Sequence, residues 1–345
     1  MPPPVSASTG NPAGAPLHWG VNLPLPTLSL PGHRHLVESL PDLGYTDVWT
    51  GEGGGIDAFT PLTAAAAWQP ELRLGTGVVP VLTRGPGILA QTAATLSQLA
   101  EGRLLLGVGA SVPAHTTALN GVTHDRPLAR VRDTVRFLKR ALHGLPVGDA
   151  YETLSAPGFS LGHTLPRPPK VLVGALRPRM LRVAYQDGDG AVLNLLTAED
   201  VPRVIEAGRG SAPGEGAGEP KETVVKLFLC PTADVAYARA AGRGFLGWIL
   251  NQKPYHAFHE WLGRGDLLKE SYDRYLLGDR AGAGAALPDS LVDALWLHGE
   301  PAALRERIAA YLHPGVTTVL LYVAPTPELH ARPEKLGSLL AELRG

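Results

Sequence analysis

Short runs of β-branched and other apolar residues alternate along the chain with segments whose apolar residues recur at helical spacing. Each run is bounded by Gly, Pro or Asn, as strands are. The runs are His18–Leu23, Tyr45–Thr50, Leu72–Leu82, Arg103–Gly109, Lys170–Gly174, Gly190–Leu196, Thr223–Cys230 and Thr317–Val323. Eight strand–helix units predict an α/β fold, a (β/α)8 barrel, in which the loops that follow the strands carry the chemistry.

Helical spacing is clearest in the segment Leu128–Leu142. Its apolar residues recur every three or four positions, and its polar residues, Asp133 among them, are predicted to face solvent. The residues Leu36, Leu40 and Leu43 also have helical spacing, but Pro41 lacks an N–H group and must kink or end that helix. A further helix is predicted to line its buried face with Ile88, Thr92, Leu96 and Leu99.

The length of the chain fits one domain, because α/β barrels commonly exceed 200 residues without dividing. We expect residues 17–345 to form this domain. Met1–Pro16 is rich in Pro, Ala, Ser and Gly and is predicted to be a disordered arm, and Gly208–Pro220 a flexible surface connection. Asn251–Leu297 is patterned but too long for a connection, so it is predicted to be a helical insertion near the rim, before the last strand.

Composition narrows the classes of partner. A formal net charge of −1 provides no field that would gather nucleic acid or an anionic membrane, so a small-molecule substrate is the expected partner. A homodimer is left open. No run approaches the ~18 apolar residues that span a bilayer. The one cysteine, Cys230, cannot form an internal disulfide and lies in an apolar run, which favours a reducing compartment, the cytoplasm.

Three motif-like stretches lack the spacing that their chemistry needs. Gly107–Val112 has no third glycine for a dinucleotide fingerprint. Asp187–Ala198 lacks the turn glycine and the final carboxylate of a calcium loop. His256–Glu260 has neither zinc-protease order, so no metal is expected.

Four segments of the chain, taken in order, resemble segments of the bacterial luciferase-like superfamily. They are Arg73–Pro80, Ala94–Gly109, Asp125–Arg132 and Gly174–Glu199. Within that superfamily the sequence is most similar to the oxidoreductases that use the 8-hydroxy-5-deazaflavin coenzyme F-420, and the similarity runs from Leu17 to Pro325. The resemblance implies hydride transfer between coenzyme F-420 and a small organic substrate that the sequence does not identify, at the C-terminal rim of the barrel.

The resemblance also implies a place for the ring of the coenzyme. In this family the ring lies against a bulged third strand that contains a cis non-prolyl peptide, and Thr76, Gly77 and Val78 occupy that position. The polar edge of the ring is expected near Asn22 and Glu52. Further cofactor contacts are expected at other strand ends, namely Gly109, Ser111 and Asn194.

The segment Gly174–Pro178 leads from the fifth strand into a helix and is the predicted phosphate site. Gly174, Ala175, Leu176, Arg177 and Pro178 would place free backbone N–H groups at a helix start. Thr153–Gln186 contains no Asp or Glu, but it contains five basic residues: Arg167, Lys170, Arg177, Arg179 and Arg182. The glutamate tail of coenzyme F-420 is therefore expected along Arg179 or Lys170, with a solvated basic face as the alternative.

Hydride transfer also needs a proton donor or acceptor beside the substrate. Glu52, in a glycine-rich loop after the second strand, is the first catalytic candidate, and an ion pair with Arg84 is its structural alternative. His115 is the second. Family members often carry Trp where this chain has Leu119, so the substrate-binding residues of the family are hard to assign in this chain. The substrate candidates are Asn120, Tyr255 and His256.

Two other functions remain open from the sequence. One is a two-component monooxygenase of the same fold that uses reduced flavin mononucleotide (FMN) and dioxygen. The other is a catalytically silent ligand-binding barrel, which the scarcity of acid–base groups suggests.

Overall fold

The computed structural model describes residues 17–53, 55–148, 151–210 and 221–344. The predicted arm 1–16 and the greater part of the predicted connection, 211–220, lie outside these residues. No helix in the described ranges is long and apolar enough to cross a lipid bilayer.

A parallel sheet closes on itself and forms the predicted (β/α)8 barrel. The strands are β1 His18–Asn22, β2 Asp47–Thr50, β3 Arg73–Thr76, β4 Val79–Pro80, β5 Leu104–Gly109, β6 Lys170–Gly174, β7 Gly190–Asn194, β8 Glu222–Pro231, β9 Leu297–Gly299 and β10 Thr318–Val323. Around the barrel the order is β10, β1, β2, β3, β5, β6, β7 and β8, and β8 pairs with β10 to close it. β3 and β4 together occupy one barrel position, and β9 adds a short pairing to the end of β8.

Helices surround the barrel and also fill the predicted insertion. They are α1 Arg34–Ser39, α2 Phe59–Trp68, α3 Pro86–Leu99, α4 Pro113–Asn120, α5 Pro127–Leu142, α6 Pro178–Arg182, α7 Asp200–Arg209, α8 Val235–Ile249, α9 Lys253–Trp261, α10 Gly265–Leu276, α11 Arg280–Ala285, α12 Asp289–Leu295, α13 Pro301–Ala309, α14 Pro327–Ala331 and α15 Lys335–Arg344. A 3-10 turn, Pro31–His33, precedes α1, and a π turn, Val183–Asp187, continues α6. The insertion 251–297 is helical, as predicted, and comprises α9 to α12.

Two of the helix predictions are wrong in detail. α5 has its predicted bounds, but Asp133 is 1 % exposed and accepts hydrogen bonds from the backbone N and Oγ1 of Thr153, each at 2.8 Å. In α3, Ile88 and Leu99 are 56 % and 53 % exposed, whereas Leu96 is buried as predicted, on a face that it shares with Leu89, Ala90, Ala93 and Ala94. α1 ends at Ser39, two residues before Pro41, as predicted.

The barrel interior is filled in layers. Trp49 of β2 is fully buried, and glycines in the two adjoining strands make room for its indole. A Cβ atom on Gly20 would lie 2.7 Å from the Trp49 ring, and one on Gly75 would lie 2.2 Å from it. Below this layer, at the N-terminal end, Arg73 pairs with the buried carboxylates of Asp47 and Glu222. The C-terminal end above Trp49 opens into a cavity.

Candidate active site

The cavity at the C-terminal rim has a volume of about 890 Å³, which suits a small-molecule ligand. Every barrel strand contributes to its wall, either through a residue of the strand or through the residue directly after it. These residues are Asn22, Gly51, Gly77, Gly109, Gly174, Asn194, Lys226 and Tyr322.

The order of the strands divides this wall into two arcs. The neighbouring positions β2, β3, β5 and β6 contribute Gly51, Gly77, Gly109 and Gly174, which we call the glycine arc. The remaining neighbours, β7, β8, β10 and β1, contribute Asn194, Lys226, Tyr322 and Asn22, which we call the polar arc. At the strand ends, one side of the cavity therefore presents glycine backbone, and the other presents hydrogen-bonding side chains.

The glycine arc closes around the bulge between β3 and β4. The Gly77–Val78 peptide is cis, at the position that the sequence predicted. A Cβ atom on Gly109 would lie 2.8 Å from a methyl group of Val78, and one on Gly174 would lie 3.1 Å from the other. Only glycine therefore fits here without a shift of Val78, and the wall stays open to a flat ligand.

Lys226 is the central residue of the polar arc. Its Nζ donates a hydrogen bond to Oδ1 of Asn22 at 2.8 Å and lies 5.5 Å and 5.4 Å from the ring centres of Phe228 and Tyr322. In the described part of the chain, no carboxylate pairs with this ammonium group. Burial lowers the pKa of Lys226 to about 8, because the charged form loses more hydration than the hydrogen bond to Asn22 replaces.

Asn194 and Tyr255 extend the polar arc toward the insertion. The Nδ2 of Asn194 donates to the Tyr255 hydroxyl at 3.2 Å, so α9 brings Tyr255 to the cavity as predicted. Burial raises the pKa of the Tyr255 phenol, which therefore keeps its proton at neutral pH.

Glu52 lines the cavity but is already paired. Its Oε1 accepts from Arg84 Nη2 at 2.5 Å and from Arg84 Nε at 2.8 Å, and this hydrogen bonding raises the pKa of the Arg84 guanidinium. The ion pair that the sequence left as an alternative is thus present. It separates the main cavity from a smaller pocket of about 470 Å³, and a catalytic role for Glu52 stays a prediction.

His115 and Ser111 lie together at the end of β5. Both line the cavity, and the Ser111 Oγ is 3.4 Å from Nδ1 of His115. Nearby, Nε2 of His124 donates to the backbone oxygens of Ala110 and Ser111. His124 holds this loop in place and was not singled out from the sequence.

The basic residues of the predicted phosphate and tail site lie at different ends of the barrel. Arg177 and Arg179 are exposed and line the cavity with Ala175, Leu176 and Pro178. Within the described residues, neither guanidinium makes an ion pair. Lys170, by contrast, begins β6 at the opposite end and pairs with Glu222 at 2.9 Å, so the expectation that it contacts the tail is wrong. A strand of five residues separates it from the rim.

Three other predicted residues lie outside the cavity. Thr76 is buried behind the bulge and donates to the backbone oxygen of Gly107. Asn120 lies in the smaller pocket, where its Nδ2 donates to Thr83. His256 follows Tyr255 on α9 but points elsewhere, and its ring stacks on Tyr272 at 3.8 Å. Successive residues of a helix point in directions about 100° apart, and on α9 that of His256 leads to Tyr272 rather than to the cavity.

Lys226 and Tyr322 are the main residues that sequence reasoning missed. Lys226 interrupts an apolar strand, and it shares the inward parity of Val224 and Phe228. An isolated charge at an inward barrel position is a signal that could have found it. Trp248 and Trp261, from α8 and α9, were missed for a different reason, because the cavity mouth that they line is built by tertiary packing.

Within the described ranges, no group of three or more His, Cys, Asp and Glu side chains is placed to hold a metal ion.

Comparison with known proteins is consistent with this architecture. The family model of the luciferase-like monooxygenases matches residues 14–318. The chain belongs to the luciferase-like monooxygenase family. A curated relative, 5,10-methylenetetrahydromethanopterin reductase of Methanolobus tindarius, is 26 % identical over 300 residues, which cover 86 % of this chain and 90 % of the relative.

Solved structures of the luciferase-like fold match over nearly the whole chain. The coenzyme F-420-dependent tetrahydromethanopterin reductase from Methanopyrus kandleri has a TM-score of 0.71 at 20 % identity, covering 94 % of this chain and 97 % of that one. The oxygenating constituent of 3,6-diketocamphane monooxygenase from Pseudomonas putida, in complex with FMN, has a TM-score of 0.60 at 16 % identity, covering 95 % and 96 %. At these identities the two structures establish the fold.

Proposed function

We propose that the protein is an oxidoreductase that transfers hydride between coenzyme F-420 and a small organic substrate. The observation that carries the proposal is the glycine arc with its Gly77–Val78 bulge, facing the polar arc across one cavity. A flat ring can lie against backbone where Cβ atoms are excluded, and the polar arc then faces the reacting side of the ring. The relatives named for coenzyme F-420 add support from the family.

Residues of this chain would hold each part of the coenzyme. Gly77, Val78 and Gly109 would contact the ring, with its polar edge toward Asn22. The segment 174–178 would contact the phosphate, and Arg177 and Arg179 would contact the carboxylates of the tail. The bound coenzyme would supply a hydride donor or acceptor, and the protein would supply position, exclusion of water and a proton.

The fit of the charges supports this arrangement. Arg177 and Arg179 are exposed, make no ion pair with any described residue, and lie at the rim beside Gly174, where a multiply anionic tail would leave the cavity. Arginine binds carboxylate and phosphate through paired N–H groups, so two free guanidinium groups form a suitable contact.

A direct test is a fluorescence titration of the protein with coenzyme F-420 and, separately, with FMN. We expect Gly174→Asp to weaken binding of coenzyme F-420 by at least about tenfold, because the new carboxylate stands beside the phosphate in a poorly screened site. Gly174→Asn is the matched control, since it adds the same Cβ atom against Val78 but no charge. Equal affinities for both variants, with unchanged melting temperatures, would place the phosphate elsewhere.

The FMN-dependent monooxygenase remains the second candidate, because the same glycine arc accepts an isoalloxazine ring and a structural neighbour carries FMN. FMN has no glutamate tail, so it gives Arg177 and Arg179 less to bind. Tighter binding of FMN, with oxygen consumption in the presence of its reduced form, would favour this candidate. Binding of neither cofactor would leave the silent ligand-binding barrel.

The proposed catalytic roles of Glu52 and His115 are tested separately. Turnover of Glu52→Gln should fall by about 10²-fold if the carboxylate exchanges the proton, since Gln keeps its size but cannot exchange one. Unchanged turnover would leave Glu52 as the partner of Arg84 only. His115→Gln serves as the corresponding test for the imidazole.

A further inference from the structure

Lys226 carries a buried charge in the cavity that no carboxylate of the described residues pairs with. Glu52, which lines the same cavity, is bound by Arg84, and the side-chain acceptor of the ammonium group within the described residues is Asn22 at 2.8 Å. Asn22 is neutral. At least one N–H group of the ammonium therefore remains for a ligand in the cavity, since a lysine has three.

The other groups of the polar arc hold their protons more firmly or serve another contact. Burial raises the pKa of both Tyr255 and Tyr322, and the Tyr255 hydroxyl is engaged with Asn194. Burial acts in the opposite direction on a lysine, because it favours the neutral form, which has released its proton. His115 belongs to α4, which follows β5 along the chain, so it is connected to the glycine arc rather than to the polar arc.

The strand order places Lys226 opposite the ring site. It sits in β8, between Asn194 of β7 and the β10 position of the sheet, and Asn22 of β1 orients its Nζ. A ring against the glycine arc would leave the substrate between the ring and the polar arc. The substrate atom that changes charge would then face Lys226.

We propose that Lys226 is the catalytic proton donor and acceptor of this site, and that the substrate class is small apolar carbonyl compounds and the corresponding alcohols. The inference rests on the proposed function. In the reducing direction, the carbonyl carbon gains a hydride, the π electron pair of the C=O bond moves onto oxygen, and that oxygen takes a proton from Nζ. The reduced coenzyme is the reductant and becomes oxidised, and neutral Lys226 regains its proton from solvent.

The apolar part of the cavity lining carries the argument for an apolar substrate. Large apolar side chains line the same cavity as Lys226: Ile56, Leu128, Met180, Trp248 and Trp261. Apolar surface of this kind binds hydrocarbon through burial, and the one polar atom of a ketone or aldehyde would find its donor at the polar arc.

The test compares Lys226→Met and Lys226→Arg with the wild type, using cyclohexanone and benzaldehyde as substrates of the enzyme loaded with reduced coenzyme F-420. We expect Lys226→Met to lower kcat for the ketone by about 10²-fold or more while KM changes much less, because the chemical step loses its acid. Lys226→Arg should stay equally slow, since a guanidinium keeps the charge but does not release a proton near neutral pH. Methylamine added to Lys226→Met should restore part of the rate.

A second readout needs no coenzyme. Cyclohexanecarboxylate presents an anionic oxygen on the same ring and should bind the coenzyme-free protein through Lys226, measured by calorimetry. We expect Lys226→Met to lose this binding by about tenfold or more, and Lys226→Arg to keep most of it, because only the charge is needed. Lys269→Met, an exposed residue paired with Asp273 outside the cavity, is the control for both assays.

The outcomes separate this inference from the proposed function. If the wild type binds no coenzyme F-420, the proposed function fails and the proton-transfer role fails with it. If the wild type binds the coenzyme but reduces neither carbonyl compound, the substrate class alone is wrong. If Lys226→Met keeps ketone turnover, the reaction needs neither the charge nor the proton of Lys226, and the proton-transfer role is refuted. If Lys226→Arg restores the turnover that Lys226→Met loses, Lys226 acts as a fixed charge, and the proton-transfer role is refuted as well.

Discussion

Replacement of Lys226 by Met should stabilise the protein at neutral pH. Burial lowers the pKa of this lysine from its usual 10.5 to about 8. Below pH 8 the lysine is protonated in both the folded and the unfolded chain, and the folded state bears the full cost of a poorly hydrated charge. Between pH 8 and 10.5 the folded chain releases its proton first, so the stability of the wild type rises with pH in this window. Above it both states are neutral and the cost is gone.

The size of the effect follows from the pKa difference and from the contacts that the substitution removes. A pKa lowered from 10.5 to about 8 corresponds to about 3 kcal/mol at most. The side chain is partly open to the cavity, so solvent screening reduces this figure to roughly 2 kcal/mol. The lost hydrogen bond to Asn22 opposes it by about 1 kcal/mol. Met keeps the apolar stem, which leaves a net stabilisation of about 1 kcal/mol.

Urea unfolding of wild type, Lys226→Met and Lys269→Met at pH 7 and pH 10 measures this difference. We expect Lys226→Met to exceed the wild type at pH 7 and to lose that advantage at pH 10, and Lys269→Met to stay within about 0.5 kcal/mol of the wild type at both. Groups that all three proteins share cancel in the comparison. Among the neighbours of Lys226, Tyr255 and Tyr322 have raised pKa values and remain neutral through the lower part of the window. A Lys226→Met protein that is less stable than wild type by the same amount at both pH values would refute the reasoning, because the ammonium group would then be well solvated.

Three further perturbations address the fold and the rim. Asp133→Ala should lower the free energy of unfolding by about 3 kcal/mol in urea, since it removes a buried carboxylate that accepts two hydrogen bonds from Thr153. A loss below about 1 kcal/mol would mean that other contacts hold the segment after α5. Gly75→Ala should lower the melting temperature sharply, because its Cβ atom would overlap the Trp49 ring, and a folded variant with wild-type stability would contradict the layered interior. The double variant Arg177→Ala/Arg179→Ala should weaken a long-tailed coenzyme F-420 more than its tail-less fragment in fluorescence titrations, with a gap that shrinks in added salt; equal losses would mean that the arginines are merely solvated.

The barrel can be predicted from the sequence because the pattern of each strand and helix is local. A strand buried on both faces has a short apolar run, and eight such runs separated by helical segments leave few other architectures. The helix faces were harder to predict. In α3 the buried residues combine two leucines, Leu89 and Leu96, with three alanines and a serine, while Ile88 and Leu99 face outward. Hydrophobicity alone assigns the large apolar residues of α3 to its buried face, whereas close packing against the sheet also requires small residues.

The residues at the strand ends of the site can be predicted from the same local pattern. The directions in which the helical side chains point cannot. Gly77, Gly109 and Gly174 lie where the strand pattern places them. Asn120 and His256 are close to the site along the chain but point away from the cavity, since the orientation of a helix on its neighbours is a tertiary property. The basic residues 167–182 look like one strip in the sequence, although a strand carries Lys170 to the other end of the barrel.

The two ends of the barrel show how buried charge divides between stability and function. At the N-terminal end, Arg73 is bound by Asp47 and Glu222, and Lys170 is bound by Glu222 as well, so each buried charge has an opposite neighbour. At the C-terminal end, Lys226 has a neutral amide as its hydrogen-bond partner. Both ends are inside the same sheet, and a carboxylate in place of Asn22 would be enough to complete the pairing. A chain selected for stability alone has no reason to leave that charge uncompensated, so the imbalance itself indicates that the ammonium group is kept for a ligand.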